Sequence, residues 1–172
     1  MTHLKVRLTK QEMLECKQAA TLRWQLSRAM GVPNQRKDTN RNDNDVDQLG
    51  IKGETAVAKV LGCRHNVFQY SSDYGVDMFL GDISIDVKTT FHQTGKLLFK
   101  SLDAFKAGCS VLVTASDDDD VMIIAGYIPR RVFLEQAQET DLGGYGPCFT
   151  MEQIYLRPIE SLWKRHQEKR FQ

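Results

Sequence analysis

Two aspartates and a lysine stand close together in residues 75–90, GVDMFLGDISIDVKTT. Asp77, Asp86 and Lys88 lie in a segment that is otherwise mostly apolar. Two neighbouring carboxylates favour a shared proton or a cation between them. An oxygen-rich pair suits a hard divalent cation such as Mg²⁺, and a lysine beside the metal can orient or deprotonate a water. These residue types suit metal-assisted hydrolysis if the fold brings them together.

The segment predicts a β-hairpin whose register can be derived from its turn. Gly81 and Asp82 make a suitable two-residue loop, because glycine accepts the positive φ that primed turns require. Side chains alternate between the faces of a strand, and a one-residue slip would bury charges or expose the apolar set. The cross-strand pairs expected from this register are Leu80 with Ile83, Met78 with Ile85, and Asp77 with Asp86. The apolar face expected from it consists of Val76, Met78, Leu80, Ile83, Ile85 and Val87.

In this register Asp77 and Asp86 are direct cross-strand neighbours, with Lys88 two residues along on the same face. Like charges directly opposite each other destabilise a sheet, so the arrangement predicts a bound cation or a counter-charge. An ordinary hairpin with a solvated face, in which Lys88 neutralises the aspartates, explains the spacing as well. The spacing alone leaves both interpretations open.

The composition is that of a globular protein without a membrane segment. The chain has 172 residues, 41% hydrophobic and 26% charged, which fits one domain with a sizeable core. No apolar run approaches the ~20 residues of a membrane span, and the N-terminus lacks a signal-peptide core. Four widely spaced cysteines predict reduced thiols and a cytoplasmic location. With a net charge of +1, phosphate contacts must come from local clusters.

Two helices are predicted before the hairpin. Thr9 opens a capping box, TKQE, and the first helix should end near Gly31. A polar loop over 33–45 follows, and a second helix should run from Asn44 or Asp45 to Gly62. Glu54 lies at the border of the apolar face of this helix; a favourable interaction with the helix dipole is the alternative to a role in a site.

The remainder of the chain predicts further helices and strands around one sheet. After the hairpin the chain should leave the sheet and form a short helix capped by Ser101. Two apolar strands, CSVLVTAS and VMIIAGYI, flank an aspartate turn at 117–120 that we expect to be solvated. Pro129 should open a helix, QIYL suggests a short strand, and a last helix should start near Pro158. The order predicts an α/β fold with a mixed sheet of four or five strands flanked by helices.

These residues resemble the PD-(D/E)xK nuclease superfamily, which has a restriction-endonuclease-like fold. KGETAVAKVLG supplies Glu54 on the preceding helix, YGVD supplies Asp77, and IDVK supplies Asp86 and Lys88. The phrase GVDMFL…ISIDVKTT is similar to archaeal Holliday-junction resolvases and to small phage or restriction nucleases. The resemblance covers residues 45 to about 130, and Val76 stands where the family name has proline.

The resemblance implies an Mg²⁺- or Mn²⁺-dependent endonuclease that hydrolyses DNA phosphodiester bonds by attack of an activated water. Asp77 and Asp86 would bind the metal with the Val87 carbonyl, and Lys88 would position the water. Glu54 would hold a second metal or its water. The implied organisation is a single nuclease domain over 1–172, with an N-terminal helix (1–32), a mobile loop (33–45), a catalytic core (45–130) and C-terminal helices (131–172).

The expected nucleic-acid contacts come from local polar and basic residues. Gln93 resembles accessory glutamines of some relatives, and the basic residues lie in the polar loop and the last helix. The full set is Arg36, Lys37, Arg41, Gln93, Lys164 and Arg165. Holliday-junction or other structure-specific resolution by a homodimer, a non-catalytic nucleic-acid- or protein-binding module, and RNA as substrate remain alternatives.

Overall fold

The computed structural model describes residues 3–31, 42–69, 75–144 and 146–170. The α-helices within them are α1 (Lys10–Ala29), α2 (Asp43–Leu61), α3 (Arg130–Gln136) and α4 (Ile159–Arg170). The strands are β1 (Leu4–Arg7), β2 (Met78–Leu80), β3 (Ile83–Thr90), β4 (Leu97–Phe99), β5 (Cys109–Ala115), β6 (Val121–Pro129), β7 (Gln138–Asp141) and β8 (Pro147–Met151). Two 3₁₀ turns lie at Leu102–Ala104 and Gln153–Tyr155.

Five strands form a mixed central sheet in the order β1-β6-β5-β3-β2. The β3 and β5 strands run parallel, and the other neighbouring strands run antiparallel. This arrangement confirms the predicted α/β class and the mixed sheet of four to five strands. A second antiparallel sheet, β4-β8-β7, was not predicted from the sequence.

The predicted helix starts are confirmed where a side chain caps the helix. The Thr9 hydroxyl accepts the Glu12 peptide N–H at 3.1 Å, and the Glu12 carboxylate accepts the Thr9 N–H at 2.6 Å. Ser101 likewise caps the 3₁₀ turn through the Ala104 N–H. These caps are local, so the sequence contains all the information that determines them.

The predicted loop over 33–45 is wrong at its end. The Asn42 side chain accepts the Asn44 N–H at 3.0 Å, so residues 43–45 already belong to α2, which ends at the left-handed Gly62. Residues 33–41 of the predicted loop, which include Arg36, Lys37 and Arg41, lie outside the described residues.

Four features of local structure differ from the predictions, three of them because of long-range pairing. β1 precedes the first helix and pairs with β6, and β4 pairs with β8 where the chain was expected to leave the sheet. The predicted C-terminal region of helices over 131–172, with a short strand at QIYL, instead contains β7 and β8 between its helices. The QIYL segment forms a 3₁₀ turn, because its N–H groups bond to carbonyls three residues back. No local pattern specifies such partners, since they depend on distant strands.

The central sheet is buried on both faces. On one face α2 packs against alternate residues of β3 and β5 such as Ile85, Val87 and Val111. On the other face a second cluster forms around stacked aromatic rings, with Phe99 and Phe105 centroids 4.4 Å apart. In β3, therefore, odd-numbered residues face α2 and even-numbered residues face the aromatic cluster.

Gly53 lets α2 approach β3 closely. A Cβ at this position would lie 2.1 Å from the Thr89 hydroxyl oxygen, whereas a Cβ at Gly50 would meet nothing within 4 Å. We expect Gly53→Ala to lower the free energy of unfolding by about 1–2 kcal/mol, because overpacking outweighs the gain in helix propensity. Gly50→Ala should raise it by up to ~1 kcal/mol. Urea unfolding measures both, and equal shifts in the two variants would contradict this account of the helix–sheet contact.

The aspartate turn at 117–120 connects three parts of the structure. Buried Lys52 of α2 donates from Nζ to an Asp119 carboxylate oxygen at 2.6 Å, and Arg7 of β1 donates to Asp120 at 2.6 Å. Asp117 accepts from the Gln93 side chain at 3.1 Å. The predicted exposure of the turn is confirmed for Asp117, Asp118 and Asp119, but its ion pairs were not predicted, and the buried Lys52 ammonium requires one of them as a counter-charge.

No helix among the described residues is both long enough and apolar enough to cross a membrane.

Candidate functional site

A β-bulge at Asp77 separates the two aspartates of the predicted site. Met78 pairs with Ile85 as predicted, but the Asp77 peptide N–H also donates to the Ile85 carbonyl, at 2.8 Å. Two residues of one strand therefore stand opposite one residue of the other. The predicted pairing of Asp77 with Asp86 is therefore wrong. The predicted place of Val76 on the apolar face that includes Met78 is also wrong, because Val76 packs against the aromatic cluster. The bulge avoids the like-charge opposition that a regular ladder would create.

The Asp77 carboxylate is held at the edge of β3. Its Oδ2 accepts the peptide N–H of Val87 at 2.6 Å. This contact places the carboxylate beside the backbone between Asp86 and Lys88. Because the N–H and C=O of one strand residue point to the same side, the Val87 carbonyl also faces the edge next to Asp77.

Asp86 is buried on the opposite face of the sheet from α2. The residue is only 3% exposed, its Oδ2 accepts the Ser110 hydroxyl at 2.9 Å, and its Oδ1 accepts Lys88 Nζ. Burial, followed by the charge of Asp86, raises the pKa of the neighbouring Cys109 thiol to about 12. Both carboxylate oxygens of Asp86 are thus bonded within the protein.

Lys88 connects the buried carboxylate to solvent. Its side chain is 40% exposed, and its Nζ lies 5.0 Å from the Phe99 ring centroid, within cation–π range. Lys88 lines a cleft of about 540 Å³ with His92 and Lys96, at the end of β3. The ammonium group is therefore positioned by Asp86 and by the aromatic face, and it can still reach a ligand.

Glu54 lies on the α2 face of the sheet in a small polar cluster. Its Oε2 is 3.6 Å from Arg23 Nη2 and 3.6 Å from His65 Nε2, and the side chains of Glu54 and His65 are largely buried. Burial, followed by the charge of Arg23, lowers the pKa of His65 to about 4. The imidazole is therefore neutral at pH 7, and Arg23 rather than His65 balances the charge of Glu54. Glu54 lies in the fourth turn of α2, so interaction with the helix N-terminus is not its role.

The structure brings Glu54 and Asp77 to one cleft and Lys88 to another. The first cleft has a volume of about 1000 Å³ and is bounded by α1, α2, the β2–β3 turn and α4. Asp86 is buried on the far face of β3 from Glu54. The described residues contain no group of three His, Cys, Asp or Glu side chains arranged to hold a metal ion.

The predicted nucleic-acid contacts fall in three places. Gln93 lies in the loop after β3 and bonds to Asp117, close in sequence to the lining of the Lys88 cleft. Lys164 and Arg165 are exposed on α4. The three basic residues of the polar loop lie outside the described residues.

Three residues at the site were missed by sequence reasoning. Arg23 lies in the first helix, His65 follows the second helix, and Ser110 lies within an apolar strand. Ser110 alone had a usable signal, because a hydroxyl inside a continuous buried strand needs a hydrogen-bond partner. The positions of Arg23 and His65 beside Glu54 depend on how the two N-terminal helices cross, and no local pattern specifies that crossing.

No protein-family model matches this chain, and neither a curated protein nor a solved structure matches it significantly.

Proposed function

We propose that the chain is a metal-dependent DNA endonuclease with a restriction-endonuclease-like core. The observation that supports this function best is the position of the Asp77 carboxylate, bonded to the Val87 N–H between Asp86 and Lys88. Glu54 lines the same cleft from α2. Glu54 from the helix and Asp77 from the bulge thus lie in one cleft at the edge of β3, while Asp86 and Lys88 lie on the other face of that strand. The four residues follow one another along the chain in the order that the sequence resemblance implies.

The donor atoms at this edge fit a hydrated hard cation. The Asp77 carboxylate and the Val87 carbonyl share the edge, with the Glu54 carboxylate in the same cleft, and Mg²⁺ commonly uses one or two carboxylates and retains waters. Asp86 does not fit as a ligand in this conformation, because Ser110 and Lys88 occupy its two oxygens. When bound, Mg²⁺ or Mn²⁺ would stabilise the negative charge that develops on the phosphate.

The protein groups at this edge and on the opposite face of β3 would position the water and the phosphate. Lys88 donates from an ammonium that can orient a water or a phosphate oxygen, and Asp86 with Ser110 fixes where that ammonium lies. In this proposal Asp86 is a positioning residue, whereas Asp77 would help to hold the metal. Arg23 keeps the Glu54 side chain in place at the other wall of the cleft.

Nicking of supercoiled plasmid tests this function. We expect the purified protein to convert supercoiled DNA to open-circular or linear forms with Mg²⁺ or Mn²⁺ and to stop when EDTA is added. Glu139→Gln, which changes an exposed carboxylate on β7 in the second sheet, serves as the control variant and should retain full activity. Cleavage that persists in EDTA, or no cleavage under any of these conditions, would contradict the proposal.

A non-catalytic nucleic-acid-binding module is the second candidate. The specific observation in its favour is that Asp86 is buried, with both oxygens bonded within the protein. Under this alternative, DNA binding would be measurable while the plasmid assay would show no cleavage with either metal.

A further inference from the structure

Two aromatic residues that line the Glu54–Asp77 cleft are exposed. Trp163 of α4 is 47% exposed and Phe79 of β2 is 59% exposed. Exposed apolar surface next to convergent polar groups marks a binding site more often than it occurs by chance. An occupant of this cleft could contact both the exposed aromatic faces and the charged groups that line it.

The fold positions Trp163 rigidly beside the cleft. Ile159 and Leu162 of the same helix are buried in the core. His166, one turn further along, lies against the β2–β3 turn, where a Cβ at Gly81 would be 2.4 Å from the imidazole. Anchored on both sides, α4 presents the indole with little freedom to move away.

The polar lining of the cleft suits a phosphate backbone beside a base. Arg23 and Arg64 supply cationic groups, and Asp77 supplies the carboxylate at the proposed metal. A base within a duplex is already stacked on its neighbours, so an exposed indole can stack only on an unpaired nucleotide. The net charge of +1 also limits how much affinity phosphate contacts can supply. Stacking provides affinity that depends little on sequence.

We propose that the Glu54–Asp77 cleft binds an unpaired segment of a DNA strand, with one base stacked on Trp163 and Phe79 as a second aromatic contact. This inference rests on the proposed function and names its substrate class: the strand that is cut carries unpaired nucleotides, as at a flap, a gap or a single-stranded end region.

The chain contains two tryptophans, which allows a matched test. Trp24 lies on α1 with the Arg28 guanidinium 4.9 Å from its ring centroid, and it does not line the cleft. The Trp24→Leu variant therefore retains Trp163 as its single tryptophan fluorophore. Titration with a 12-nucleotide oligodeoxythymidine in EDTA should quench this fluorescence. A strand of the same length built from abasic units should bind at least about fivefold more weakly, because it offers phosphates without bases.

Anisotropy of a labelled oligodeoxythymidine then isolates the role of the indole. Trp163→Leu should weaken binding by about fivefold to a hundredfold, whereas Trp24→Leu should change it less than about twofold. Trp163→Phe retains an aromatic face and should recover part of the loss. Equal affinity for the thymidine and abasic strands, unchanged affinity in Trp163→Leu, or tighter binding of an equally long duplex would overturn the inference.

The binding test and the cleavage test can give opposite results, so a failure of one can be distinguished from a failure of the other. Binding is measured without a divalent cation, so its result does not depend on catalysis. Metal-dependent plasmid cleavage without preference for the thymidine strand would overturn the stacking site and leave the nuclease in place. Stacking-dependent binding without cleavage would instead support the non-catalytic module.

Discussion

Replacing Asp77 by asparagine should reduce plasmid cleavage by about two to three orders of magnitude. The substitution keeps the size of the side chain, and its amide oxygen can still accept the Val87 N–H. What is lost is the negative charge at the sheet edge, where the cation would bind. The variant should therefore remain folded, which circular dichroism and thermal unfolding can verify.

The Asp86→Asn variant distinguishes two roles for Asp86. Asp86 positions Lys88 if the contacts in the structure decide its role, and it binds the metal if the motif does. If Asp86 positions Lys88, the variant should lose about 10- to 100-fold in rate, while the metal concentration for half-maximal cleavage stays unchanged. Asp77→Asn should raise that metal concentration as well as lower the rate. A raised metal requirement in Asp86→Asn would show that Asp86 moves to bind the metal, as the motif predicts. Full activity in Asp77→Asn would refute the proposed site.

The hairpin shows where sequence reasoning succeeds and where it ends. The turn at Gly81 and the alternation of apolar residues predict the pairs Leu80 with Ile83 and Met78 with Ile85, and both are present. The predicted alternation of side chains between the two faces ends at Asp77. A β-bulge inserts one residue there and reverses the faces of the residues on its N-terminal side. The bulge allows the Asp77 carboxylate to bond to the Val87 N–H at the edge of β3. That contact depends on the side chain of one strand and the backbone of another, so no alternation pattern predicts it.

The burial of Asp86 depends on distant residues in the same way. Its position on β3 follows from the pattern, but the Ser110 hydroxyl comes from a parallel strand 24 residues later. The pairing of Lys52 with Asp119 likewise joins α2 to a turn that the sequence presents as solvated. Caps and turns are local and were predicted; the partners of buried charges are long-range and were not. The candidate site could thus be predicted as a set of residues, whereas its division over two faces of the sheet could not.

Acid should destabilise this protein through His65. The pKa of this buried imidazole is lowered from 6.5 to about 4, first by burial and then by the nearby Arg23. The Glu54 carboxylate lies 3.6 Å from the imidazole but does not reverse the shift in pKa, because Arg23 largely balances its charge. The unfolded chain binds a proton near pH 6.5 and the folded protein only near pH 4. Between these values the unfolded state holds more protons, so stability falls as the pH falls.

The size of this effect can be measured against a variant without the titrating group. From the two pKa values, wild type should lose up to about 3 kcal/mol between pH 7 and pH 4 on account of His65. His65→Gln should show a correspondingly shallower loss in urea unfolding over the same range. His92→Gln, which changes an exposed histidine, should follow wild type. Parallel curves for wild type and His65→Gln would show that His65 is protonated alike in both states, and that the Arg23–Glu54–His65 cluster is open to water.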